Sequence, residues 1–293
     1  MSFTQEEIAD QPSCWSRVAA VAAGAGRAAL PAPGEEVAVV GCGTSWFMAR
    51  SYAALREGSG HGRTDAFAAS QFPAGRHYDR VLALTRSGTT TEVLDLLGRL
   101  RGTTVTGVIT ADDTTPVVGS VDHVLALPFA DERSVVQTRF ATTALALLRA
   151  HLGEDLAPVV TDARRALAEP LDTAVVAAEQ FTFLGSGWTC GLADEAALKM
   201  REAAGAWTES YPTMEYRHGP ISIAAPGRVV WALGSLPDGL AEDVARTGAT
   251  LVRSGLDPLA DLVRVHRLAV AVATRRGLDP DRPRNLTRSV VLA

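Results

Sequence analysis

Residues 37–58, "VAVVGCGTSWFMARSYAALREG", and residues 181–204, "FTFLGSGWTCGLADEAALKMREAA", decide the fold between them. Each opens on an apolar run long enough for one buried strand. A Gly-x-Gly turn follows, then a hydroxyl residue, then an amphipathic segment with helical spacing. A second apolar run comes after each copy at a similar interval: "RVLALTRS" at 80–87 and "RVVWALGS" at 228–235. Agreement at both places predicts an internal duplication. Further strand-like runs at 65–69, 104–110 and 122–128 are separated by helix-like segments. That alternation is the pattern of an α/β protein with parallel, helix-covered sheets.

Working outward, residues 5–30 read as Ala-rich helix broken near Pro12 and again at "GAG" 24–26. Helices are expected over 134–152, 156–169 and in the tail at 258–276, with 167–179 as a connection. The expected division is an N-terminal helical segment over 1–30, a first domain over 31–160 and a second over 161–293. The second domain is shorter, having fewer residues between its second strand and the tail helix.

Composition narrows the class. The 293 residues carry 47% hydrophobic and 21% charged side chains, with a formal net charge of −5, ordinary values for a globular protein. No basic tract recruits nucleic acid. Three scattered cysteines build no disulfide framework, and no His or Cys spacing suits a metal. The N-terminus bears Glu6, Glu7 and Asp10, unlike a signal peptide, and no apolar run is long enough to span a bilayer. A cytoplasmic protein without metal or cofactor is expected.

The segment "LALTRSGTTTEVLDLL" at 82–97 raises a separate question, because its strand ends in seven small, basic or hydroxylic residues. It reads equally as a Thr-rich turn with Thr90 or Thr91 capping the next helix, or as an anion site of hydroxyls and N–H groups at a helix N-terminus. The second copy has "SLPDG" at 235–239, where Asp238 would repel an anion, so any phosphate site belongs to the first half. A dinucleotide role is disfavoured: "GCGTSW" lacks the third glycine, and no acidic residue ends the following strand on cue.

Seven segments, in order, resemble the double sugar-isomerase (SIS) domain family, above all the isomerase half of glucosamine-6-phosphate synthase and related amino-sugar-phosphate isomerases and deaminases. They are "EEIADQP", "GCGTSW", "TRSGTTTE", "ERSVVQTRFATT", "DEAALKMREAA", "EYRHGPISI" and "DPDRPRNLTRSV". The resemblance implies two tandem SIS domains, each a flavodoxin-like three-layer sandwich, the second trimmed. It implies that Ser45, Thr85, Ser87 and Thr90 hold a sugar 6-phosphate, with Arg86 in place of the family's frequent Gln. Arg86 equally suits solvent exposure or the bracing of a carboxylate. Gly43, Thr44, Val135, Gln137 and Arg288 are implied at the sugar, and Gln137 or Trp46 is a candidate for reading its configuration.

At the other end of the sugar, aldose–ketose interconversion moves a proton between C1 and C2 and needs a carboxylate over both carbons. Lys199 and Glu202, three apart on one helix, share a face, which on spacing alone suggests a solvent-facing salt bridge. The resemblance instead implies that Glu202 transfers the proton beside Lys199. It implies that His218, in "EYRHGP", opens the sugar ring from the partner subunit of a homodimer. Glu195 and Glu215 match motif positions with structural roles. One departure matters: the family's Schiff-base lysine is replaced by Arg288, whose guanidinium stays protonated and forms imines poorly. With the chain opening on Met1-Ser2, no glutamine-hydrolysing domain is expected. The expectation is therefore isomerisation of a phosphosugar, or isomerisation with release of an amine from an amino-sugar- or fructosamine-6-phosphate. The alternative is a regulatory protein that binds a sugar phosphate without turnover.

Overall fold

The computed structural model of the protein describes residues 2–292. The chain forms two compact units that are not contiguous in sequence. The N-proximal unit comprises Ser13–Arg133, Gln137–Leu156 and the tail from Thr287. The C-proximal unit comprises the chain up to Pro12, Ser134–Val136 and Ala157–Leu286.

Helix α1 spans Phe3–Trp15 with Pro12 inside it, so the expected break at Pro12 does not occur. The reason is local. Proline removes the N–H that the Ile8 carbonyl would accept, and the Gln11 side-chain amide donates to that carbonyl instead, at 3.3 Å. After the short α2, Val18–Ala22, the N-proximal unit builds a parallel sheet ordered β2-β1-β3-β4-β5. Its strands are β1 (Val37–Gly41), β2 (Thr64–Ala68), β3 (Arg80–Thr85), β4 (Val105–Thr110) and β5 (His123–Ala126). Between them run α3 (Thr44–Gly58) and α4 (Thr91–Leu100), and α5 (Arg139–His151) follows. All of β1 and β3 is buried, as strands covered on both faces must be. Val81, Ala83, Val93, Leu96, Leu97 and Val108 form a core on one face.

Helix α5 starts at Arg139 rather than near Ser134. The Glu132 carboxylate sets that start, accepting from the backbone N–H groups of Thr138 (2.6 Å), Arg139 (2.6 Å) and Phe140 (3.3 Å). Ser134 is tied elsewhere, its N–H donating to the Glu7 carboxylate at 3.3 Å.

The C-proximal unit adds α6 (Ala157–Ala168) and the single turn α7 (Thr173–Val176) before a second parallel sheet. That sheet is ordered β7-β6-β8-β9, from β6 (Gln180–Gly185), β7 (Trp207–Pro212), β8 (Arg228–Leu233) and β9 (Thr250–Val252). Helices α8 (Thr189–Ala204), α9 (Leu240–Thr247) and α10 (Pro258–Arg275) complete it. Asp257 caps α10 by accepting from the Leu259 N–H at 2.9 Å.

The two Gly-x-Gly turns do the same job. A Cβ on Gly41 would lie 2.7 Å from the Ser45 carbonyl carbon, and one on Gly185 would lie 2.3 Å from the Thr189 carbonyl oxygen. Each strand thus runs directly against the first turn of the helix that follows, which only glycine permits.

Candidate functional site

In the N-proximal unit, β3 ends at Thr85 and the loop 86–90 leads into α4. Gly88 holds φ +62°, and a Cβ there would collide with the Thr115 hydroxyl. This turn aims the hydroxyls of Ser87, Thr89 and Thr90 together: Thr89 Oγ1 lies 3.1 Å from Ser87 Oγ, and the Thr89 N–H points at the same oxygen at 3.3 Å. Thr85 is committed within the loop, its buried hydroxyl accepting from the Gly88 N–H at 3.3 Å. Thr90 is the residue before α4 but makes no side-chain cap bond, which leaves its hydroxyl for other partners. Arg86 is buried. Its guanidinium lies 3.8 Å from the Glu132 carboxylate and donates to the Arg288 carbonyl at 2.7 Å. The carboxylate-bracing role weighed for Arg86 is therefore present.

Ser45 and Thr44 are buried in the first turn of α3, after Gly43 at φ +53°. Trp46 and Gln137 are half-buried. The Cys42 thiol, in the Gly-x-Gly turn, is pushed up to about 11 by burial and by the nearby Glu92 carboxylate. It stays protonated at neutral pH and is a poor nucleophile. Arg288 pairs with Asp131 at 2.6 Å.

In the C-proximal unit, α8 carries a buried charge cluster. Lys199, 1% exposed, pairs with Glu202 one turn ahead and lies 3.6 Å from Glu195 one turn behind. A surface salt bridge is thereby excluded. Glu195 is fully buried, whereas the Glu202 side chain is 19% exposed. Behind Glu195 lies His266 of α10, with Nε2 at 4.0 Å from a carboxylate oxygen and Nδ1 at 3.3 Å from the Gln11 amide nitrogen. An amide nitrogen only donates, so Nδ1 accepts and Nε2 carries the proton, facing Glu195. Burial, with Lys199 nearby, pushes His266 down to about 3. His218 is exposed beside Gly219 (φ +122°), and Glu215 is exposed on the same turn. Val135 is half-buried.

Among the described residues, no group of His, Cys, Asp or Glu is arranged to hold a metal, and no helix is long and apolar enough to cross a membrane. Sequence reasoning missed Ser289, Thr89, Glu132, His266 and Gln11. Thr89, Gln11, Glu132 and Ser289 all stand in segments quoted above, but spacing does not show which group each side chain serves, and His266 meets Gln11 and Glu195 only through the fold.

Both clusters sit in an α/β fold with two parallel sheets, and comparison with known proteins shows what that fold and sequence are similar to. No family model matches the chain. Its sequence is 27% identical to glutamine–fructose-6-phosphate aminotransferase [isomerizing] of Nostoc sp. (strain PCC 9229), over 88% of this chain and 52% of that protein. The chain spans about half the length of the curated relatives it matches. It superposes on glucosamine-6-phosphate deaminase from Thermotoga maritima with a TM-score of 0.81 and 26% identity, covering 99% of this chain and 100% of that one. The C-terminal domain of glucosamine-fructose-6-phosphate aminotransferase from Francisella tularensis gives a TM-score of 0.83 at 20% identity, covering 96% and 98%, a likeness of fold.

Proposed function

We propose that the protein is a sugar-phosphate isomerase, or an isomerising deaminase or deglycase, acting on an amino-sugar- or fructosamine-6-phosphate. The observation that carries this reading is the α8 cluster: a carboxylate that solvent still reaches, Glu202, held by a buried lysine. A proton-transfer base needs such fixed orientation together with access to substrate. Glu202 moves a proton between C1 and C2 of the open-chain sugar, from C2 to C1 in a 2-amino aldose and from C1 to C2 in a fructosamine, while a second proton passes from the substrate's amine or hydroxyl to its carbonyl oxygen. With an amine-bearing substrate the resulting imine, at C2 or at C1 respectively, takes up water and releases the amine, so no lysine Schiff base is required and Arg288 is tolerated.

The loop 86–90 takes the 6-phosphate, with Ser45 beside it. Hydroxyls and helix N-terminal N–H groups suit a dianion, and the T. maritima structure carries the name of a sugar-phosphate deaminase. The protein works in the cytoplasm as a homodimer in which the partner subunit's His218 opens the ring, in keeping with the exposure of that side chain. The matched Gly41 and Gly185 turns, each followed by the same order of first strands, support a duplicated pair of SIS domains with the second trimmed by one strand.

The test is turnover on a panel of fructose-, glucosamine-, galactosamine- and fructosamine-6-phosphates, following ketose formation and amine release. Turnover is expected on one member, falling about 10²–10⁴-fold in Glu202→Gln. Tight binding without turnover, unchanged by Glu202→Gln, would instead establish a sugar-phosphate sensor.

A further inference from the structure

The donors assigned above to a phosphate already have an occupant. Ser289 places its Oγ among three loop hydroxyls: 3.2 Å from Ser87 Oγ, 3.0 Å from Thr89 Oγ1 and 3.4 Å from Thr90 Oγ1. On one side of it, the Arg288 carbonyl accepts from the Arg86 guanidinium at 2.7 Å. On the other, the Val290 carbonyl accepts from the Thr91 N–H, the first of α4, at 3.1 Å. Two anchors hold the segment in register. Arg288 pairs with Asp131, and the Leu292 N–H donates to Thr91 Oγ1 at 2.9 Å.

Three hydroxyls, a guanidinium and a helix N-terminal N–H converging on three successive oxygens is the donor pattern a phosphate group satisfies with its own oxygens. Ordinary tail packing does not require it. Each donor proton serves one acceptor well at a time, so the tail and a phosphate compete for the same set.

We propose that segment 288–290 is a self-ligand of the phosphate loop, displaced when a phosphorylated substrate binds. This rests on the reading of loop 86–90 as a phosphate site. The docked tail lowers the apparent affinity by the fraction of molecules in which it is bound. Loosening the tail therefore strengthens phosphate binding. The Arg288–Ser289 bond, which trypsin recognises, is held in a fixed conformation while the flanking Arg288 and Val290 carbonyls are hydrogen-bonded, and gains the freedom that cleavage requires when phosphate displaces the tail.

The experiment measures binding of inorganic phosphate by titration calorimetry to the wild type, Ser289→Ala and Asp131→Ala, alongside the rate of tryptic cleavage after Arg288 with and without phosphate. Ser289→Ala removes the competing hydroxyl, whereas Asp131→Ala releases the anchor without touching a loop hydroxyl. The expected result is tighter phosphate binding in both variants, by about three- to tenfold for Ser289→Ala, the range of one or two exchanged hydrogen bonds. Cleavage after Arg288 should also accelerate in the wild type on adding phosphate. Unchanged or weaker binding in Ser289→Ala, or protection from trypsin by phosphate, overturns the self-ligand and leaves the phosphate loop standing. Absence of phosphate binding in all three proteins overturns both.

Discussion

Lys199 shows how far a residue's meaning depends on its burial. Its spacing from Glu202 is that of a common helix-surface pair worth tenths of a kcal/mol, yet at 1% exposure it lies between Glu202 and Glu195. Removing one member of a buried ionic cluster leaves charge without compensation. Lys199→Met is therefore expected to cost on the order of 3 kcal/mol of stability, read as a lower urea midpoint. An exposed pair would lose almost nothing. Arg86 is a parallel case, since the sequence left open solvent, phosphate and carboxylate. Burial excludes the first, and Glu132 at 3.8 Å supplies the third.

At the scale of elements, periodicity located most helices and strands, because apolar side chains must face a core on either side of a parallel sheet. It misplaced two boundaries, both where a side chain takes over a hydrogen bond that the backbone would otherwise lack. Gln11 repairs the bond that Pro12 removes, so α1 continues. The Glu132 carboxylate takes three N–H groups at the start of α5 and so decides where that helix begins. Glu132→Ala strands those buried donors and takes the carboxylate from beside Arg86. A loss of about 3 kcal/mol or more is expected, with hydrogen exchange accelerated at Thr138, Arg139 and Phe140 ahead of the rest of α5.

For the whole molecule, the buried His266 predicts how stability responds to acid. The native imidazole titrates near 3 because burial, and then Lys199, oppose its charge, whereas in the unfolded chain it titrates near 6.5. Between those values the unfolded chain binds more protons, so stability is complete above about pH 6.5 and falls as pH drops toward 3. Asp261, held above the usual carboxylate range by burial, works in the opposite direction. The measurement is thus a difference: the decline in urea midpoint from pH 7 to pH 4 should be shallower in His266→Asn than in the wild type. The sequence by itself determined the α/β class, the two Gly-x-Gly turns, the hydroxyl loop and the Lys199–Glu202 face, because each is written in contiguous spacing and side-chain chemistry. Only the tertiary structure decided that Lys199 is buried, that His266 stands behind Glu195, and that Ser289 fills the hydroxyl loop from some 200 residues away. Local propensity carries no term for which distant residues a folded core brings within reach.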